Sequence, residues 1–209
     1  KQPTTQEKKI GYSLGVMLGR QLQNDISKLD IPSFTQAIED VYNHRELKLN
    51  DEEVGQVMQE LQEKIIADAQ AASEKQAQEN LAKGEAFLAK NKKQKGVKTT
   101  KSGLQYKVVK QGKGKKAGET SSVKVHYEGK LINDEVFDSS YQRGEPVTFQ
   151  VNQVIAGWQE GLQLMNPGSE FMLYIPANLA YGPAGAGGAI GPNETLVFKV
   201  ELLELDPAN

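Results

Sequence analysis

Ser122-Val123-Lys124-Val125-His126-Tyr127-Glu128-Gly129-Lys130-Leu131 decides how the second half of the chain is read. Apolar or small residues alternate with polar ones, the period of a strand with one face turned to a core. Working outward, residues 104–110, 169–175 and 195–205 carry the same signal, rich in Val, Tyr, Leu and Phe. Residues 157–165 fit one short helix. Turn residues punctuate the intervals: Gly112-Lys113-Gly114, Arg143-Gly144-Glu145-Pro146 and Asn166-Pro167-Gly168. The expected fold is α+β, with an antiparallel sheet wrapped around one short helix in a unit of roughly 110 residues.

Upstream of residue 100 the period is helical. Leu14, Leu18 and Leu22 recur every four residues, and Phe34, Ile38, Val41 and Tyr42 follow a similar rule. Pro32-Ser33 marks a break with Ser33 as the expected N-cap, and Asn50 with Glu53 resembles a capping box opening a third helix. From residue 51 to 93 there is no proline, and Ala, Glu, Gln and Lys dominate. Val54, Met58, Leu61 and Ile65 form a short a/d-like seam. Two short helices and this seam make a thin core for a domain standing alone, so a homodimer through the N-terminal helices is expected, with a monomeric helical bundle as the alternative. Gly11, Gly15 and Gly19 lie on one helix face and permit a close backbone approach, at about 1 kcal/mol each against alanine. The expected partition is a helical dimerisation domain over 1–50, a long connecting helix over 51–95 closed by Gly96, and the sheet domain over 96–209.

Composition excludes several chemistries. The 209 residues contain no cysteine and two histidines, His44 and His126, far apart in sequence. Thiol catalysis and disulfides are therefore out, and no metal site or cofactor is expected. Net charge is −2, and no apolar run is long enough to span a bilayer. Eleven lysines and no acid lie between Glu85 and Glu119. They read as a solvated helix end and linker, with Lys90, Lys92 and Lys93 complementing the helix C-terminus, rather than as a nucleic-acid patch.

Tyr127, Phe137, Tyr141, Phe149, Trp158, Phe171, Tyr174, Tyr181 and Phe198 gather in the C-terminal half, with Trp158 placed to floor a cavity. No nucleophile–base arrangement accompanies them. His126 points away from its neighbour Tyr127 and reads as a surface or packing residue. The run 182–188, Gly-Pro-Ala-Gly-Ala-Gly-Gly, lacks the Lys-Ser/Thr of a phosphate loop and reads as a flap. Asp138 alone would read as a turn residue.

Val125-His126-Tyr127-Glu128-Gly129, Phe137-Asp138-Ser139-Ser140, Val154-Ile155-Ala156-Gly157-Trp158, Leu179-Ala180-Tyr181-Gly182 and Thr195-Leu196-Val197-Phe198 occur in order, and this set resembles the FKBP-type peptidyl-prolyl isomerases over residues 100–205. Tyr12-Ser13-Leu14-Gly15 and the stretch 82–88 resemble the macrophage infectivity potentiator (Mip) subgroup. The resemblance implies an enzyme acting on Xaa-Pro bonds of unfolded or folding polypeptides, with accompanying chaperone activity. A binding module with little catalysis is the alternative. It implies a prolyl and macrolide pocket (FK506 or rapamycin type) of Tyr127, Phe137, Asp138, Phe149, Val154, Ile155, Trp158, Tyr181, Ile190 and Phe198, with Asp138, Tyr181 and Tyr127 as its polar, catalytic members. Two departures from the family pattern are Val147, where an aromatic is usual, and the Gly/Ala-only flap before Ile190. The start at Lys1-Gln2-Pro3 without Met fits either a mature terminus left by signal-peptide cleavage or a boundary chosen for expression, and with the resemblance it favours a location in the periplasm or at the outer-membrane surface of a Gram-negative bacterium. A cytoplasmic location is the alternative.

Overall fold

The structure is a computed structural model that describes residues 1–207. It forms two compact units, Lys1–Glu63 and the remainder from Lys64 onward.

The first unit holds α1 (Gln6–Asp25), α2 (Ile31–Tyr42) and the opening turns of α3 (Asp51–Asn91). Thr5 caps α1 by accepting from the Lys8 N–H at 3.2 Å. Asp30, not Ser33, caps α2. Pro32 sits inside the first turn, where its missing N–H costs nothing, and Ser33 donates its N–H to the Asp30 carboxylate at 3.1 Å. The break expected at Pro32-Ser33 therefore lies two residues earlier. The Asn50–Glu53 box is reciprocal: Glu53 N–H donates to Asn50 Oδ1 at 2.8 Å, and Asn50 N–H to Glu53 Oε1 at 3.3 Å. From there α3 runs unbroken for 41 residues, about 60 Å at ~1.5 Å per residue. It ends at Asn91, and Gly96 follows five residues later in the left-handed region at φ +85°.

The second unit is a seven-stranded antiparallel sheet: β1 (Val97–Thr99), β2 (Gln105–Lys110), β3 (Ser122–Leu131), β4 (Val136–Ser139), β5 (Val147–Gln150), β6 (Glu170–Ile175) and β7 (Leu196–Leu205). The order is β1-β2-β6-β7-β3-β4, with β5 also pairing on β3. Burial alternates along β3 without a break. Val123, Val125, Tyr127 and Leu131 face a core shared with Phe171, Leu173 and Ile175 of β6 and with Leu196, Phe198, Val200 and Leu202 of β7. Against that core lies α5 (Ala156–Leu162). Gly157 and Gly161 let it approach: a Cβ on Gly157 would meet Ile175 at 2.5 Å, and one on Gly161 would meet Leu173 at 2.7 Å. The helix stops three residues short of its expected end. Leu164 N–H and Met165 N–H bond three residues back, a tightening that precedes the non-helical residue required before Pro167.

Candidate active site

Three short elements that periodicity alone does not resolve shape the site: β4, β5 and a single helical turn, α4 (Ser140–Arg143). β5 pairs with Ser122–Val125 of β3, and β4 pairs with Glu128–Lys130. Between them Tyr127 N–H has no strand partner and donates instead to the buried Ser140 Oγ at 2.7 Å. This hydroxyl fixes the strand where the Tyr127 ring enters the core.

The rings converge because one position on β3 has no side chain. A Cβ on Gly129 would fall 2.6 Å from the Phe198 ring and 2.7 Å from the Phe137 ring. With glycine there, Phe137 and Phe198 meet edge to face at 5.5 Å. Trp158, carried in by α5, stands nearly perpendicular to Tyr127 at 5.2 Å, Phe198 at 5.2 Å and Phe149 at 5.5 Å. Edge-to-face rings at this spacing add stabilisation beyond their burial. Above them opens a cavity of about 340 Å³.

Of the residues expected to line a pocket, Tyr127, Phe137, Asp138, Phe149, Val154, Ile155, Trp158, Tyr181 and Phe198 border this cavity, joined by Gln153. Ile190 does not: it is buried in the core and bridges to Ala186 through N–H···O bonds of 2.9 and 3.2 Å. Val147 lies on β5 opposite Val125 and also stays outside. His126 faces the other side of the sheet, 2.8 Å from Ser140 Oγ through Nδ1 and stacked on Tyr141 at 4.7 Å.

The polar members are bound to one another. Tyr127 Oη donates to Asp138 Oδ2 at 2.5 Å and accepts from Arg143 Nη2 at 3.0 Å, while Arg143 Nη1 pairs with Asp138 Oδ1. Burial pushes the Asp138 carboxyl up, but the hydrogen bonds from Tyr127 and Arg143 outweigh it and hold the group below its ordinary value of 3.8. Burial first, then the bond to Asp138, raises the Tyr127 hydroxyl above 10.0. Across the neutral range this is an ionised carboxylate, a protonated phenol and a guanidinium in a closed ring. Asp138 is thus more than a turn residue. Arg143 escapes a sequence reading that sees only a turn at Arg143-Gly144-Glu145-Pro146. The signal available for it is the spacing of five from Asp138, which α4 closes into contact.

Tyr181, Gln153 and the Trp158 indole N–H lie outside the ring. Tyr181, 40% exposed, brings its ring to the rim. The indole Nε1 of Trp158 is buried with no hydrogen-bond partner among the described residues. Nothing in this set supplies an activated nucleophile. It forms a mostly apolar basin able to hold a ring, with Tyr181 at its edge and the Trp158 Nε1 buried within it.

Comparison with known proteins agrees with this geometry. Residues 113–203 match the profile of the FKBP-type peptidyl-prolyl cis-trans isomerase domain, and residues 7–108 match that of the domain amino-terminal to it. The outer membrane protein MIP of Legionella longbeachae is 43% identical over 98% of this chain and 88% of its own length. The peptidyl-prolyl cis-trans isomerase Mip of Coxiella burnetii is 43% identical over 96% of this chain and 87% of its own. The crystal structure of FkpA from Escherichia coli superposes with a TM-score of 0.86 at 41% identity, covering 99% of both chains. With a matching family domain, relatives matched over most of their length and an aromatic basin in the expected place, the chain belongs to the FKBP-type peptidyl-prolyl cis-trans isomerases.

Proposed function

We propose that the cavity over Trp158 receives the proline ring of an Xaa-Pro segment and binds its twisted amide better than the planar one. Rotation about a peptide bond breaks no bond. Its barrier, ~18–20 kcal/mol, is the loss of amide resonance, and uncatalysed Xaa-Pro exchange takes tens to hundreds of seconds. Only interactions stronger in the twisted state accelerate it. A planar amide is the more charge-separated form and loses more on leaving water, so an apolar basin favours twisting.

The observation that carries this reading is that Tyr127, Asp138 and Arg143 are already committed to one another. The Tyr127 hydroxyl donates a hydrogen bond to Asp138, and Arg143 occupies the other carboxylate oxygen. General acid–base work is not required of them. Asp138 and Arg143 hold the Tyr127 ring as a wall, with Phe149, Val154, Ile155 and Phe198 completing it. The Ile155 N–H holds one substrate carbonyl and the Tyr181 hydroxyl donates to another. Each such contact is worth ~1–3 kcal/mol, about ten- to a hundredfold in rate. Tyr181→Phe and Asp138→Ala are each expected to lower kcat/KM on an Xaa-Pro peptide by that order. Unchanged rates in both variants would overturn the assignment. Macrolides of the FK506 or rapamycin type, which present a proline-like ring, are expected to compete for the same basin.

A second reading stands beside the first: a holdase for unfolded chains, built as a homodimer. Supporting it, α1 buries none of its residues, and Tyr12, Leu14 and Met17 are each more than 60% exposed. A Cβ added at Gly11, Gly15 or Gly19 would meet nothing within 4 Å in this chain, so the close approach those glycines permit calls for a second copy. In this reading residues 1–50 dimerise, 51–95 connect and 96–209 isomerise. Two basins per assembly raise the effective affinity for a client carrying several prolines. Suppression of client aggregation that survives saturation with a macrolide separates the holdase activity from the isomerase. We place the protein in the periplasm or at the outer-membrane surface. The name of the L. longbeachae relative supports this, and no helix among the described residues is long and apolar enough to cross a membrane. Fractionation of the producing cell tests it.

A further inference from the structure

Tyr181, at the rim of the basin, leads directly into a loop of residues 182–193. The loop is closed at its base, where Asn193 N–H donates to the Gly182 carbonyl at 2.9 Å with Asn193 in the left-handed region at φ +55°. Inside it Ala186 and Ile190 bridge, and Gly185 is at φ +66°, where a Cβ would strike the Ile190 carbonyl at 2.4 Å. Gly187 and Gly188 at the tip are exposed. So small a loop of Gly, Ala and Pro has little to bury beyond Ile190. What fixes its position lies outside it.

The last turns of α3 do this. Asn80 and Gly84 are the buried residues of that 41-residue helix. Asn80 Nδ2 donates to the Pro192 carbonyl at 2.8 Å, and its Oδ1 accepts from Gln76 Nε2 at 2.9 Å, which sets the amide's orientation. Asn193 Nδ2 reaches back to the Ala77 carbonyl at 3.4 Å. At Gly84 a Cβ would fall 2.3 Å from Thr195 Oγ1, so the helix backbone lies directly on the chain as it leaves the loop. Next to these ties, helix and loop part around a cavity of about 340 Å³ bordered by Leu81, Leu88, Pro176, Gly182 and Pro183. Apolar packing there is incomplete, and the hydrogen bonds carry the registration.

We propose that Asn80 is a positioning residue for the isomerase: by holding the Pro192 carbonyl it fixes the 182–193 loop and, through the loop's closed base, Tyr181 at the rim. This rests on the role proposed above for Tyr181, which touches substrate; Asn80 does not. The amide is needed as a donor, since the aspartate isostere sets a carboxylate oxygen against a carbonyl.

Two readouts on the full-length protein test it: hydrogen exchange of the 182–193 amides, and a double-mutant cycle with Tyr181→Phe. Asn80→Ala and Asn80→Asp are expected to speed exchange in the loop at least tenfold, with exchange along β3 and β7 unchanged. They are also expected to lower kcat/KM several-fold, chiefly through KM. In the Tyr181→Phe background Asn80→Ala should add little, because both changes remove the same placed hydroxyl. Wild-type exchange in the Asn80 variants overturns the proposal. Where Tyr181→Phe itself lowers activity, an Asn80→Ala loss that multiplies in full with it also overturns the proposal, as does a loss matched by faster exchange throughout the sheet, which marks a merely structural residue. If Tyr181→Phe is silent while Asn80→Ala still loosens the loop and raises KM, Asn80 stands as the anchor and the role given to Tyr181 fails.

Discussion

An Arg143→Ala exchange takes two hydrogen bonds from the site at once, one to Tyr127 Oη and one to Asp138. The Tyr127 ring loses its anchor on the solvent side, and kcat/KM on an Xaa-Pro peptide should fall several-fold with little change in melting temperature, since Arg143 is half exposed. The pH profile gives the sharper reading. Asp138 titrates below its ordinary 3.8, so its contribution is present above that value and lost only as pH falls through the folded-state value. Tyr127 titrates above 10.0, so its proton is kept below that value and lost as pH rises through the folded-state value. In between, from about pH 5 to about pH 9, kcat/KM should be flat. In Arg143→Ala the acid limb moves up toward ordinary carboxylate values. A limb near neutrality in the wild type would contradict the closed ring. The resemblance named Tyr127 and Asp138, but the part played by Arg143 was not legible before the fold. Arg143 matters because α4 brings positions 127, 138 and 143 together, and no local pattern records that.

At the scale of elements, glycines decide how closely strands and helices approach. Gly129→Ala puts a methyl where the Phe137 and Phe198 rings now lie. It should cost about 1–3 kcal/mol in urea unfolding, as overpacking does, and should lower kcat/KM because those rings border the cavity. Loss of stability with full activity would show that the rings relax without entering the basin. The long strands β2, β3, β6 and β7 were legible to within a residue, because alternating burial, strict along β3 and β6 and partial along β2 and β7, is written in residue identity. The short elements β1, β4, β5 and α4 were not, since three or four residues carry too little period to be told from turns. The capping box at Asn50 was local and therefore readable. The α2 cap was misplaced because Ser and Asp both cap, and Pro32 fits the first turn as well as a boundary. Most pocket residues were recognisable from motifs shared with relatives rather than from periodicity. Asn80 resembled any polar residue on a solvated helix, and only its 112-residue reach to Pro192 distinguishes it.

For the molecule as a whole, the exposed apolar faces of α1 and α2 predict association. Sedimentation equilibrium of the full chain should give a dimer at micromolar concentration, and Gly15→Leu, which fills the face where two backbones would meet, should shift it toward monomer. Because the basin is built within the second unit, that variant should keep wild-type kcat/KM on a short peptide while losing aggregation suppression for long clients. A wild-type monomer would remove the basis for the dimer. Trp158 has one more consequence at this scale. It is the chain's single tryptophan, buried at the floor of the basin with three aromatic rings on edge around it. The protein therefore carries its own optical probe: indole emission arises from the floor of the basin alone, should be silent to events confined to the first 63 residues, and should respond to a proline mimic without any label.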